Sequence, residues 1–198
     1  LVGSEMCIRD SLQALSGVDI ALWDIAGKAA NLPLYKMIGG AHRDKVEVYG
    51  YGMMLRPENI NSLISRFKEE SAEIKEMGFK ALKMKVGVGP KDDIKLIEAV
   101  REGIGDNFRF MVDANHGYTT HDALYVGRAM EEFSPYWFEE PVAPEDLDGY
   151  RELRAFLKVN ISGGEAEFNR WGWRKLLESR GLDTVSYTHL RAHETSLH

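Results

Sequence analysis

The chain has 198 residues, a net charge of −6 from 25 basic and 31 acidic side chains, and one cysteine. That length suits a single domain with a substantial core, but it is short of the roughly 250 residues of a closed eight-stranded α/β barrel. No basic stripe argues for a nucleic-acid partner, and no apolar run reaches the roughly 18 residues of a membrane span.

The two ends read as foreign to the rest. Residues 1–11 form a leader and 186–198 a tail that resemble translated sequencing-adapter read-through, and the tail has no apolar period. Setting them aside removes Cys7 and three of the six histidines (His189, His193, His198). Disulfides, thiol catalysis and a His-rich metal tail go with them.

Ser16 is placed to cap a helix from about Gly17 to Ala30, with Ala21, Leu22, Ile25, Ala26 and Ala29 on one face. Pro33 opens a second, short helix that Gly39 and Gly40 end. LysValGluValTyrGlyTyrGly at 45–52 alternates as a strand. Strands and helices then take turns. Ile60, Leu63, Ile64, Phe67 and Ile74 mark an amphipathic helix closed near Gly78. Ile94, Ile97, Val100 and Ile104 mark the next, followed by a helix carrying Leu124, Met130 and Phe133. Leu147, Tyr150, Leu153, Phe156 and Leu157 form a further apolar face, and a last helix runs from about Trp171 to Ser179. LeuAspThrVal at 182–185 begins a sixth strand.

Between these helices lie AlaLeuLysMetLysVal at 81–86, PheArgPheMetValAsp at 108–113, TyrTrpPheGlu at 136–139 and AsnIleSerGlyGlyGlu at 160–165. Lys85, Asp113, Glu139 and Glu165 end or nearly end these runs, at intervals of 28, 26 and 26 residues. That interval is one strand, one helix and two loops. The expected fold is therefore α/β: a partial TIM-type (β/α) barrel of about five and a half strands over 45–185, with all strand C-termini on one face.

Taken singly, Asp113, Glu139 and Glu165 are ordinary loop acids. As a set at matching strand ends they offer the hard oxygen ligands that Mg²⁺ prefers. Lys83 and Lys85, two apart on a strand, point to the same side. Either they are solvated strand lysines, or they are two ammonium groups inside a barrel, each disfavouring the other's charge and so lowering a pKa towards that of a general base. A base beside Mg²⁺ suits removal of the weakly acidic proton alpha to a carboxylate, through an enediolate that the cation stabilises.

SerGlyValAspIleAlaLeuTrpAspIleAlaGlyLys at 16–28, Lys83-Met84-Lys85, ValAspAlaAsn at 112–115, GluGluPro at 139–141 and GlyGlu at 164–165 together resemble the mandelate racemase group of the enolase superfamily, over roughly residues 12–185. The resemblance implies Lys85 as base, Lys83 as its pKa-lowering neighbour, and Asp113, Glu139 and Glu165 as Mg²⁺ ligands. Asn115 matches a polar position near the metal. The stretches at 113–119, 137–146 and 164–172 look like sugar-acid cycloisomerases and dehydratases, in which His116 would meet substrate hydroxyls or simply be a loop histidine. Arg170 lies too far into the following helix to take part. By the same resemblance, residues 12–44 are helices joining a largely absent capping domain to the barrel, and the opposite-face His–Asp pair lies beyond this sequence. The expected partner is a small sugar acid or its lactone, with no nucleic acid and no membrane. The full-length protein is expected to be a cytoplasmic homo-oligomer. Two other readings stand beside this one: a Schiff-base barrel lyase using Lys85 as nucleophile, and a catalytically inactive fragment with unpaired strand edges.

Overall fold

The computed structural model describes residues 2–167 and 169–185, with side chains from residue 14 onward. The expected foreign tail, 186–198, lies outside the described residues. The chain divides into two compact units, Leu1–Glu47 and Val48–His198.

In the first unit, helix α1 spans Val2–Ala29. It starts well before the expected Ser16 cap, because SerLeuGlnAlaLeu at 11–15 is helix-forming and holds no breaker. Ser16 is thus interior to the helix. Asn31 turns the chain with φ 52°, and the Leu32 N–H donates to the Gly27 carbonyl at 3.0 Å. Helix α2, Leu34–Met37, follows Pro33 as expected, and Gly39 and Gly40, both at positive φ, end it.

The second unit is a six-stranded parallel sheet in chain order: β1 Gly50–Tyr51, β2 Ala81–Lys85, β3 Arg109–Asp113, β4 Trp137–Glu139, β5 Asn160–Gly163 and β6 Thr184–Val185. Helices α3 Ile60–Glu76, α4 Pro90–Ile104, α5 Thr120–Met130, α6 Leu147–Phe156 and α7 Arg170–Ser179 make the crossovers, each packed on the next. Sequential parallel strands joined by helices are the arrangement of a (β/α) barrel. No helix among the described residues is long and apolar enough to cross a membrane.

Strand alternation sorts the sheet's two faces. Leu82, Met84, Phe110, Val112, Phe138 and Ile161 are fully buried in one core cluster with Leu63, Phe67, Ile97, Val100, Val126 and Leu153 of the helices. Each such side chain contributes about 1.5–3 kcal/mol of burial. The residues between them, Lys83, Lys85, Asp113 and Glu139, face the other way.

Two expectations need correction. The strand expected at 45–52 shrinks to Gly50–Tyr51, and Val46 and Val48 are exposed. Its partner β2 begins only at Ala81, behind the turn that closes α3 at Gly78, so residues 45–49 have no ladder to join. The run expected at 160–165 stops at Gly163, because Gly164 takes φ 108° and turns the chain. Glu165 therefore sits in the loop after β5, not on the strand.

Candidate active site

Register decides which side chains meet. Lys85 pairs with Asp113, Asp113 with Glu139, and Glu139 with Ser162, so one row crosses four strands at their C-terminal ends. In that row Lys85 Nζ lies 2.8 Å from Asp113 Oδ2. Lys83, one layer deeper, places its Nζ 3.0 Å from both Asp113 Oδ2 and Glu139 Oε2. Asp113 and Glu139 are each 2% exposed, so this is a buried network of two ammonium and two carboxylate groups. The second oxygen of Asp113 accepts the Asn115 backbone N–H at 3.1 Å.

Two groups of the site, Lys83 in the network and Glu165 beside it, are displaced from their ordinary values. Burial works against the Lys83 ammonium, but Glu139 and Asp113 outweigh it and hold its pKa above the usual lysine range. Two carboxylates touch Lys83 directly and hold its charge. Glu165 has its carboxyl pushed up, first by burial and then by Glu140, Asp113 and Glu139, with Lys85 pulling it down. The carboxylates therefore crowd one region, and negative charge accumulates around Glu165.

Sequence reasoning missed several neighbours. Trp137 donates its indole N–H to Glu139 Oε2 at 3.1 Å. It lies two residues before Glu139 on the same strand, so the alternation argument applied to Lys83 and Lys85 finds it too. Tyr49 meets Trp137 edge to face with ring centroids 6.2 Å apart, and Lys83 Nζ stands 5.7 Å from the Tyr51 ring centre. Glu140 lies inside the GluGluPro motif but had no role. It is 1% exposed, takes φ 43°, and brings Oε2 to 2.5 Å from His116 Nε2. The approach is off the N–H direction, and no described group makes an aligned hydrogen bond to either Glu140 oxygen. His116 has its pKa raised, first by Glu140 against its ring, with burial opposing.

The predicted site residues thus fall into two neighbouring groups. Lys83, Lys85, Asp113 and Glu139 form the ion-paired network on β2, β3 and β4. His116 and Glu165 join Glu140 in the loops above, where one ligand atom from each lies within 4.8 Å of the others. Asn115 is exposed on the loop after β3, and Arg170 is exposed as the first residue of α7.

The donor set suits a hard divalent cation. Carboxylate oxygens dominate it, two buried oxygens of Glu140 lack aligned donors among the described residues, and Glu165 is disfavoured as an anion first by burial and then by its like-charged neighbours.

A family described as enolase C-terminal domain-like matches residues 66–192, and one described as the N-terminal domain of mandelate racemase / muconate lactonizing enzyme matches residues 4–39. The chain is 43% identical over 175 residues to D-galactarolactone cycloisomerase of Agrobacterium fabrum, covering 88% of this chain and 46% of that protein. Its fold is similar to 3,6-anhydro-D-galactonate cycloisomerase from Zobellia galactanivorans, with TM-score 0.78, 42% identity, and 88% and 47% of the two chains covered. A variant of L-talarate/galactarate dehydratase liganded with Mg and L-glucarate gives TM-score 0.74 at 35% identity, over 88% and 43%. The chain spans about half the length of the relatives it matches.

Proposed function

This chain belongs to the mandelate racemase / muconate lactonizing enzyme group of the enolase superfamily, and from that premise we propose that it carries the base and the cation-binding carboxylates of an enzyme that removes the proton alpha to the carboxylate of a sugar acid or its lactone. The observation that carries the reading is the strand-end network in which Lys85 and Lys83 converge on Asp113 and Glu139, beside a Glu165 crowded by carboxylates.

Asp113, Glu139 and Glu165 are the residues proposed to hold Mg²⁺. When bound, that ion supplies the positive charge against which an enediolate's two negative charges can develop. Lys85 is the proposed base, because it stands in the outermost row of the strands, where a barrel site opens. To accept a proton Lys85 must be the neutral amine, so its ammonium has to give up a proton and leave Asp113, which would be easier with Asp113 engaged by a cation. Lys83 lies beneath, held by Asp113 and Glu139, and serves to fix both carboxylates. Trp137 fixes the same Glu139 oxygen from the side. Asn115 and His116 are proposed substrate contacts. Proton loss alpha to a carboxylate is a first step shared by racemisation, cycloisomerisation and β-elimination, and the named relatives support a cycloisomerase or a dehydratase. A Schiff-base lyase fits less well, since its chemistry gives the carboxylates gathered around Lys85 no role.

The test is solvent exchange in the complete enzyme carrying this sequence, with Mg²⁺ and galactarate in deuterium oxide. Deuterium should enter at the alpha carbon, and Lys85→Ala should slow that entry by at least about 10³-fold while calorimetry still registers Mg²⁺. Exchange at an undiminished rate in Lys85→Ala removes Lys85 from the role. No exchange in the parent enzyme removes the reaction class.

A further inference from the structure

Two of the loops around the site meet at one buried carboxylate. Lys85 and Asp113 are the last register pair of β2 and β3, and the Val86 N–H adds a main-chain bond to the Asp113 carbonyl at 2.9 Å. The two segments then part. Gly87, Val88 and Gly89 lead into α4, whereas Asn115 to Tyr118 cross towards β4, where His116 and Tyr118 donate to the Glu140 and Pro141 carbonyls at 2.8 and 3.2 Å. Where they part they still touch backbone to backbone, since a Cβ on Gly117 would lie 3.4 Å from Gly87 Cα and 2.9 Å from the Ala114 carbonyl oxygen.

That carboxylate is Asp93, in the first turn of α4 and fully buried. Three of its bonds come from successive N–H groups of one loop, Gly87, Val88 and Gly89, at 2.9, 3.0 and 2.9 Å. The fourth comes from the other loop, the Tyr118 hydroxyl at 2.7 Å. Its neighbour Asp92 does what a first-turn acid ordinarily does, pairing with Lys95 at 2.7 Å on the outside of the helix, where the helix dipole favours it. Asp93 is drawn inward instead, and all four of these donors are uncharged. Burying a carboxylate this way carries a desolvation cost, against which its charge strengthens each bond it accepts.

The place of this tie gives it a bearing on the chemistry. Gly87 stands two residues beyond Lys85, and Tyr118 five beyond Asp113. The Tyr118 ring also packs on Phe138, the residue before Glu139, with centroids 6.0 Å apart. Asp93 therefore holds the exits of β2 and β3 together, and with them the spacing between the backbones that carry Lys85 and Asp113. A lysine side chain is long and flexible, so the point its Nζ reaches depends on that backbone. A misplacement of about 1 Å in a reacting group can cost about 10²-fold in rate.

We propose that Asp93 is a positioning residue for the proton transfer: by clamping the loop that leaves Lys85 to the loop that leaves Asp113, it sets where Lys85 Nζ stands relative to the cation-binding carboxylates and so to the alpha carbon of a bound acid. The proposal rests on the reaction class given above, with Lys85 as its base.

The experiment measures alpha-proton exchange by the complete enzyme carrying this sequence, with Mg²⁺ and galactarate, well below its melting temperature. Tyr118→Phe cuts the link between the loops and leaves the three N–H bonds in place. Asp93→Asn also sets an amide donor against one of the loop's donors. Tyr118→Phe should lower kcat for exchange about tenfold and Asp93→Asn about 10²-fold, with KM changed less than about twofold and Mg²⁺ affinity by calorimetry unchanged. With galactarate deuterated at its alpha carbons, the isotope effect on kcat should be at least as large in both variants as in wild type, because proton transfer is the step that slows. Gly103→Ala, at the far end of α4 against Ser71, is the control for lost stability alone, and its kcat should stay within about twofold of wild type. A kcat for Tyr118→Phe within twofold of wild type overturns the proposal, even where Asp93→Asn does not fold. So does a loss carried by KM, a diminished isotope effect, or an equal loss in Gly103→Ala. No exchange in wild type fails the reaction class and the proposal with it, whereas exchange in wild type that both variants retain in full fails the proposal alone.

Discussion

At Glu165 a single side chain opposes the fold it belongs to. Its folded-state carboxyl titrates above the ordinary value of 4.5, from burial and then from Glu140, Asp113 and Glu139. A raised folded value means that the protonated form favours the fold. That contribution is whole below the unfolded value and fades as pH rises through the raised folded one. The metal-free chain should therefore lose stability through this group from about pH 4.5 upward. Glu165→Gln carries no charge at any pH, so its midpoint at pH 7 without Mg²⁺ should exceed wild type by about 2 °C, a small gain because the side chain is partly solvated. The same substitution should abolish the rise in midpoint that millimolar Mg²⁺ gives wild type. Scanning calorimetry at pH 5 and 7, with and without Mg²⁺, checks both signs. A site residue that costs stability until its ligand arrives is the expected pattern for a binding group. Lys83 is the counterweight, since its ammonium sits between two buried carboxylates, Asp113 and Glu139.

At the level of elements, Asp93 ties the site's loops to the helix layer. It is fully buried in the first turn of α4. Oδ1 accepts the N–H groups of Gly87 and Val88 at 2.9 and 3.0 Å, while Oδ2 accepts the Gly89 N–H at 2.9 Å and the Tyr118 hydroxyl at 2.7 Å. The loop behind Lys85 and the segment behind His116 are thereby fastened to one carboxylate. Tyr118→Phe removes one bond to a charged acceptor and should cost about 1.5–3 kcal/mol in urea unfolding, with faster amide exchange at Gly87–Gly89. Full stability in that variant would show that the hydroxyl does not hold the loops. The α3–α4 contact makes a second test, because two effects of opposite sign compete there. Alanine at Gly103 gains about 1 kcal/mol of helix propensity. Its Cβ would, however, lie 2.2 Å from Ser71 Oγ and 2.5 Å from the Lys68 carbonyl, and backbone cannot move aside as a flexible side chain can. Overpacking of this kind costs about 1–3 kcal/mol, so Gly103→Ala should be net destabilising in the same assay.

The whole molecule divides where its regular structure lapses. Residues 41–49 belong to no helix or strand, Arg43 and Lys45 are exposed, and the boundary between the two compact units falls at Glu47–Val48. Exposed irregular segments are where proteases cut first. Brief trypsin treatment should cleave after Arg43 or Lys45 and leave a core that begins near residue 46. Mass spectrometry identifies the ends, and a first cut inside α3 to α7 would contradict this division.

The chain by itself determined the βα period, because four apolar runs at near-constant spacing leave room for one helix each, and it determined which face carries Lys83, Lys85, Asp113 and Glu139, because alternation within a strand is local geometry. It also pointed to Trp137, two residues from Glu139, by a rule that had been applied only to the lysines. What followed the strands was not legible. Alternation ends where φ turns positive, at Asn115, His116, Glu140 and Gly164, and nothing in the residue types foretells where the next side chain points. Tertiary structure alone brought Glu140 against His116, moved Glu165 off β5 into the loop, and denied residues 45–49 a strand for want of a partner. The physical reason is the same in each case. A strand's faces are set by neighbours in sequence, whereas a loop's side chains are set by whichever strands the sheet places beside it.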